Sequence, residues 1–456
     1  MRLFLLLALL LAVPVFASEQ PKPNCFVITK IKKTNDSKTR LSFIKRLLPV
    51  KEGDTICDLN EEIIQTWENA LKCTNLFKRV QIIVVSVGKN KISLEVVLEE
   101  KFYWYPVPIL DWANRNITEW IEKYQADPRL LIWGLSIYRE NFRWNGELLK
   151  FMFALGSLKK LEFVYDAPWT FENVGFSFRI GTSVRNFAYL PANHNEYSNT
   201  EFVYSPNKPV EHRWYADLVF QRNIGSVHRF SLRAGWRFWK VNKTLVDPYV
   251  YIGKDDNVLS IPIFQLSYLY IGSDNMFLPT KGINLFASIV SYNFRPELTS
   301  LNLSVMNGIT LFPRLTLLSL ISGKHFIKEG KPFVLASLYG FGFFQTRGYE
   351  FVTIEGQGTA TMKNELRYKL WRISIPFVLD PSGKFEIDFY VKPFIDLAYS
   401  YGRYIKHKLL HHWLPSTGIS LELLIYQINA IEIGFAYTSL SPTPRIFVNM
   451  QWLFQW

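Results

Sequence analysis

The tripeptide Arg347-Gly348-Tyr349, inside Phe343-Phe344-Gln345-Thr346-Arg347-Gly348-Tyr349-Glu350, has the most specific chemistry to offer. It falls between two runs that read as strands, 333–342 and 361–370, and therefore on a loop. A guanidinium taken out of water needs planar, bidentate acceptors. Glu365, in Lys363-Asn364-Glu365-Leu366-Arg367, and Asp396, in Phe394-Ile395-Asp396-Leu397-Ala398, stand on the polar faces of alternating segments and can supply them. Gly348 lets the loop tip turn tightly. Such a set forms a latch, and removing one acid would strand a charge at a cost of roughly several kcal/mol. Only a few residues separate Gly342 from Arg347, so the approach to the tip is expected to be short.

Bond-making chemistry is not expected. The sequence holds no Gly-x-Ser-x-Gly elbow, no phosphate loop and no zinc signature, so the protein reads as neither an enzyme nor a user of cofactors or nucleotides. His407, His411 and His412 gather in a Lys/Tyr-rich stretch that reads as a solvated loop rather than a metal site.

The chain has 456 residues, enough for one small domain and one large one. Arg2, the apolar run 3–11 and Val15-Phe16-Ala17 read as an export signal over residues 1–17. Beyond it there is no apolar run of about 18 residues, so no spanning helix is expected. Aromatics make up 16% and hydrophobic residues 48%, against 20% charged, which suits many half-apolar strands. The net charge of +13 fits a polar barrel interior rich in arginine, or attraction to anionic lipid or an acidic client. Nucleic acid is not an expected partner of an exported chain. Of the three cysteines, Cys57 and Cys73 would sit at opposite ends of a helix over 59–73, about 20 Å apart and too far to bridge. Cys25 could pair with either, or all three could be free.

Residues 18–101 read as a small α+β domain in the order strand, helix, helix, strand, strand. Cys25, Val27, Thr29 and Ile31 have strand spacing, and Leu41, Ile44, Leu47 and Leu48 have helical spacing before Pro49. Asp58 and Glu61 suggest a capping box for a helix that shows Leu59, Ile63, Ile64, Trp67 and Leu71 on one face. Two alternating strands follow around Gly88-Lys89-Asn90.

From residue 102 to 456 alternation dominates. Phe230, Leu232, Ala234, Trp236 and Phe238 share one face, and Arg229, Ser231, Arg233 and Arg237 the other. The fold expected is mainly β, an α+β domain followed by a transmembrane antiparallel barrel of about 16 strands with its apolar face to lipid. Lipid cannot satisfy an open sheet edge, so the barrel must close. Pro106 and Pro108 in the first barrel strand cannot donate ladder bonds. Either these prolines form the linker from the small domain, or a weak seam that opens sideways is expected between that strand and the last one, which carries Trp452, Phe454 and Trp456.

The small domain, with Thr39-Arg40, Gly53-Asp54, Leu76-Phe77 and Val97-Leu98-Glu99-Glu100, resembles a POTRA domain. One such unit, a barrel and the late Arg-Gly-Tyr loop resemble the BamA/TamA-type outer-membrane assembly family over the whole mature chain. Asp274-Asn275-Met276-Phe277-Leu278-Pro279-Thr280-Lys281-Gly282 is similar to that family's Asp…Pro-Thr-x-Gly turn. The terminal Trp456 resembles the signal by which outer-membrane proteins are recognised. The resemblance implies that Arg347, Gly348 and Tyr349 form the loop-six motif, folded back against Glu365 and Asp396. It further implies a barrel in the bacterial outer membrane with the POTRA domain in the periplasm. The partners implied are nascent outer-membrane β-barrel proteins, outer-membrane lipid, and periplasmic chaperones or accessory lipoproteins. The function implied is insertion of barrel proteins. The alternative is a polypeptide exporter of the two-partner-secretion type, whose members usually carry two POTRA units and a plug helix not visible here.

Overall fold

The computed structural model describes residues 25–452 except 35, 73, 75, 102, 172, 196–197, 226, 336, 377–383, 404–406 and 426–428. The export signal read over residues 1–17 therefore lies outside the described residues, as does Cys73. The described chain divides into two compact units. One takes in residues up to 37 together with 47–99, the other 38–46 together with 100–456.

The first unit is a four-stranded sheet of β1 (Cys25–Lys33), β2 (Thr55–Cys57), β3 (Phe77–Gly88) and β4 (Lys91–Glu100), in the order β2-β1-β4-β3. Strand β1 runs parallel to β4 and antiparallel to β2. Helix Glu61–Lys72 buries Trp67 and Leu71 on one face, as its spacing requires. Two expectations change. The three-residue strand β2 was not in the predicted order, because so short an edge carries no periodicity. The helix is capped by Asn60, whose Oδ1 accepts from the Ile63 N–H at 2.9 Å, not by Asp58, whose backbone is left-handed (φ 55°). Cys25 lies opposite Cys57 in the β1–β2 register, and the two form a disulfide.

Residues 38–46, expected within the small domain, pack with the second unit. Asn141 Nδ2 donates to Thr39 Oγ1 (2.8 Å), and the Phe43 ring lies where a Cβ on Gly146 would come within 2.3 Å of it.

The second unit carries β5 (Trp104–Trp112), β6 (Leu131–Phe142), β7 (Glu147–Gly156), β8 (Leu158–Phe171) and β9 (Val174–Arg185). A separate hairpin, β10 (Phe187–Asn195) and β11 (Ser198–Tyr204), follows. Next come β12 (Glu211–Ile224), β13 (His228–Val241), β14 (Val258–Ser273), β15 (Gly282–Tyr292), β16 (Thr299–Phe312) and β17 (Leu315–Phe326). A second small hairpin pairs β18 (Ser337–Tyr339) with β19 (Ile354–Gly356). The chain closes with β20 (Gly358–Pro376), β21 (Lys384–Tyr401), β22 (Trp413–Ile425), β23 (Asn429–Thr438) and β24 (Ser441–Trp452). Sixteen of these strands join in one antiparallel sheet, each beside its neighbour in sequence once the two small hairpins are set aside.

The faces of this sheet are inverted relative to a soluble protein. Trp214 and Phe220 of β12 and Leu232 and Trp236 of β13 are exposed, while Asp217 and Gln221 of β12 are buried. Apolar outside and polar inside is the surface of a membrane-spanning barrel. Among the described residues, no helix is long and apolar enough to cross a membrane.

At the end of the sheet where β5 turns into β6, the sixth connection, loop six, runs from residue 327 to 357 between β17 and β20. It is not short, because residues 333–342 do not form the strand expected of them. They make a single turn at Phe333–Leu335, the three-residue β18, and a bend at Gly340 (φ +95°), where a Cβ would meet the Val352 carbonyl at 2.2 Å. Tyr339, Tyr349, Val352 and Ile354 from this loop bury themselves with Ala398 and Leu414 of the wall. Among the described residues the loop pairs only with itself, through β18 and β19, and packs its side chains against the wall.

Candidate functional site

At the tip of that loop the Arg347 guanidinium is 6% exposed and fully engaged. Its Nε and Nη2 donate to Asp396 Oδ2 and Oδ1 at 2.8 and 2.6 Å, the parallel fork that guanidinium geometry favours. Nη1 donates to Glu365 Oε2 (2.8 Å) and to Glu432 Oε1 (3.1 Å). The Arg347 backbone N–H adds a bond to Asp396 at 3.2 Å, and its carbonyl accepts from Ser416 Oγ at 2.5 Å. The flat face of the guanidinium lies 3.8 Å from the centroid of Phe394, two residues before Asp396. Strands β20, β21, β22 and β23 therefore each present a side chain to one arginine.

The sequence pointed to Glu365 and Asp396; it did not single out Glu432. A signal was there: Ile431 and Ile433 flank an acid on an alternating strand, the same pattern that marked Asp396. Also missed were the cations that share these carboxylates. Lys392 Nζ reaches Glu422 (2.5 Å), Glu432 (3.1 Å) and Glu365 (3.4 Å). Arg367 bonds Glu365 at 3.0 Å and also pairs with Glu422. Lys363 stands opposite Asp396 in the β20–β21 register. With Arg347 these cations match the four carboxylates in number, so the cluster is close to neutral. A balanced set of charges, bonded in this way, holds elements in place.

Gly348 turns the chain with φ +85°, a conformation that glycine adopts freely. Close approach also requires it, since a Cβ there would stand 2.6 Å from Thr438 Cγ2 and 2.7 Å from Ala436 Cβ. The Tyr349 hydroxyl donates to the Pro415 carbonyl (2.7 Å) and receives the Ser439 N–H (3.3 Å), tying the ring to the turn between β23 and β24. Glu350 completes the tip, its Oε1 accepting the Gly348 N–H at 2.8 Å. Burial pushes the Glu350 carboxyl up to about 7, against the pull of the Gly348 N–H, its own N–H and Arg445, with Glu122 adding to the rise.

At the ends of the sheet stand β5 and β24, and among the described residues no pairing joins them. Pro106 and Pro108 face Ile137 and Leu135 across the β5–β6 register. Strand β24 includes Trp452, whose side chain lies outside the described residues, as do Phe454 and Trp456 entirely.

The Asp274–Gly282 segment forms the turn between β14 and β15. Asp274 Oδ1 accepts the N–H groups of Thr280 and Lys281, each at 2.9 Å. Of the histidines, His411 and His412 bond the carbonyls of Gly402 and Leu410. Among the described residues no three metal-ligating side chains converge anywhere.

No protein-family model matches the chain, and no curated protein matches it by sequence. Solved structures do share its fold. BamA from Haemophilus ducreyi lacking POTRA domains 1–3 superposes with a TM-score of 0.55 at 13% identity, over 93% of this chain and 84% of that one. CdiB from Acinetobacter baumannii gives 0.55 at 14% identity, over 94% and 73%. CdiB from Escherichia coli gives 0.54 at 9%, over 96% and 91%.

Proposed function

We propose that this chain, which has the fold of BamA and CdiB, is a single-POTRA member of the BamA/TamA-type family and inserts β-barrel proteins into the bacterial outer membrane. The observation that carries the reading is the latch. A loop at the sixth connection reaches back to a buried Arg-Gly-Tyr tip held by Asp396, Glu365 and Glu432. A loop pinned by its tip to the polar face of β20, β21, β22 and β23 favours entry of clients from the side over passage past that face. The two end strands, β5 with its prolines and β24, which no pairing joins among the described residues, supply a place where a client strand can join from the side.

The small unit takes the role of a periplasmic POTRA domain. Its outermost strand, β3, is twelve residues long and exposes Ile83 and Val87, which suits capture of an extended client by strand addition. The partners are nascent barrel proteins and outer-membrane lipid, with periplasmic chaperones or accessory lipoproteins delivering the clients. No nucleotide or cofactor takes part.

Depleting the protein in its host, and comparing barrel proteins with secreted proteins in the outer-membrane and external fractions, tests the reading. A broad loss of barrel proteins with unfolded precursors left behind supports it. Normal barrels together with the loss of one exported protein would replace insertion by export.

A further inference from the structure

The short helix Ile117–Glu122 follows β5 and lies against β24, at the other end of the sheet. Its Thr118 is buried, and the hydroxyl makes two contacts with a single backbone residue. The Val448 N–H donates to Thr118 Oγ1 at 2.9 Å, and Thr118 Oγ1 donates to the Val448 carbonyl at 3.3 Å. Among the described residues β24 has no strand partner on this side. One side chain thus stands in for the pair of backbone groups that an added strand would offer at Val448.

The segment is in turn fixed from loop six. Asn116 caps the helix through Oδ1, which accepts the Glu119 N–H at 2.7 Å, and its Nδ2 donates to the Glu350 carbonyl at 2.9 Å. Arg115 donates to the carbonyls of Glu350 and Val352, each at 3.0 Å, and pairs with buried Glu119. Tyr189 of the β10–β11 hairpin bonds Glu119 at 3.0 Å from the other side. Glu350 sits three residues beyond Arg347. The chain of contacts therefore runs from the latch, through the backbone of Glu350, to the cap on the sheet edge.

We propose that residues 115–119 are a removable cap on the free edge of β24, and that the loop-six latch holds the cap in place. Strand addition at Val448 and the Thr118 contact use the same N–H and carbonyl, so they exclude each other. The edge becomes available when the cap leaves, and the cap leaves when loop six loosens. This holds whether the barrel inserts clients or exports them, since it concerns only the edge and its cover.

Hydrogen exchange of the full chain in lipid nanodiscs, with no client present, tests it. The Val448 amide should be protected in the wild type. Thr118→Val, which keeps the shape and removes the hydroxyl, should speed its exchange about tenfold, the effect of one lost hydrogen bond, and Thr118→Ser should restore protection. Arg347→Ala, which does not touch Val448, should raise exchange at 115–119 and at Val448 together. Unchanged Val448 exchange in Thr118→Val, or an Arg347→Ala variant that loosens loop six alone, would overturn the proposal. If the arginine variant does not fold, the wild type still decides. Under rising temperature, segments 115–119, 346–352 and 446–450 should open with one common free energy, and separate openings would refute the coupling.

Discussion

A Cβ added to Gly348 would stand 2.7 Å from the Cβ of Ala436, closer than two carbons can approach. Loop six is thus pressed against β23 with no room for a methyl group. That fit, more than the ion pairs, makes the docked position of the tip unique: charges tolerate small shifts, while packed carbon atoms do not.

Gly348→Ala should therefore destabilise docking twice over. The left-handed backbone costs roughly 1–2 kcal/mol for a non-glycine residue, and the methyl group must displace Ala436 and Thr438. Adding Ala436→Gly and Thr438→Ser should recover the packing part and leave the backbone part. Thermal midpoints of the purified protein in detergent measure both. A Gly348→Ala protein as stable as the wild type would show that the tip is not held against β23.

Arg347→Ala leaves Asp396, Glu365 and Glu432 buried around a missing cation. Breaking such a set from one side costs about 3–5 kcal/mol. The expected result is new protease cleavage within 327–357 and a lower midpoint, with the barrel still formed. Arg347→Lys keeps the charge but loses the fork to Asp396, so it should fall between the two.

The disulfide closes a segment of 32 residues between Cys25 and Cys57. On the loop-entropy view it stabilises the small unit by about 4 kcal/mol. Reduction, or Cys57→Ser, should lower the melting temperature of the small unit and leave that of the barrel unchanged. Equal shifts in both transitions would contradict the assignment of Cys25 and Cys57 to a separately stable unit.

Glu350 gives loop six a pH dependence. Burial raises its carboxyl to about 7 from an ordinary value near 4.5, so the docked loop prefers the protonated form. The stabilisation is complete below about 4.5 and is lost as pH rises through about 7. Protease protection of 327–357 should fall between pH 5 and pH 8. Glu350→Gln, neutral at every pH and still able to accept the Gly348 N–H, should flatten that profile. A Glu350→Gln protein with the wild-type slope would assign the dependence elsewhere.

Much of this protein is legible from sequence because a membrane barrel imposes a period of two on nearly every residue. Apolar residues must meet lipid and polar ones the lumen, so Phe230, Leu232 and Trp236 declared one face and Arg233 and Arg237 the other. The same rule exposed Asp396 and Glu365 as inward acids. Wherever the chain leaves that rule, the sequence misleads or is silent. Residues 333–342 look like a strand of the barrel, yet among those described only Ser337–Tyr339 pair, with β19 of the same loop, and the chain bends at Gly340 against the Val352 carbonyl. The three-residue β2 and the Cys25–Cys57 pairing depend on an edge too short to have a pattern. Glu432, Lys392 and Arg367 join the latch only because β20, β21, β22 and β23 curve their inner faces toward one point. Thr118 meets Val448 across 330 residues of chain, a contact that no local spacing encodes. Periodicity fixes which way a side chain faces; the curvature of the sheet decides which other side chain it meets.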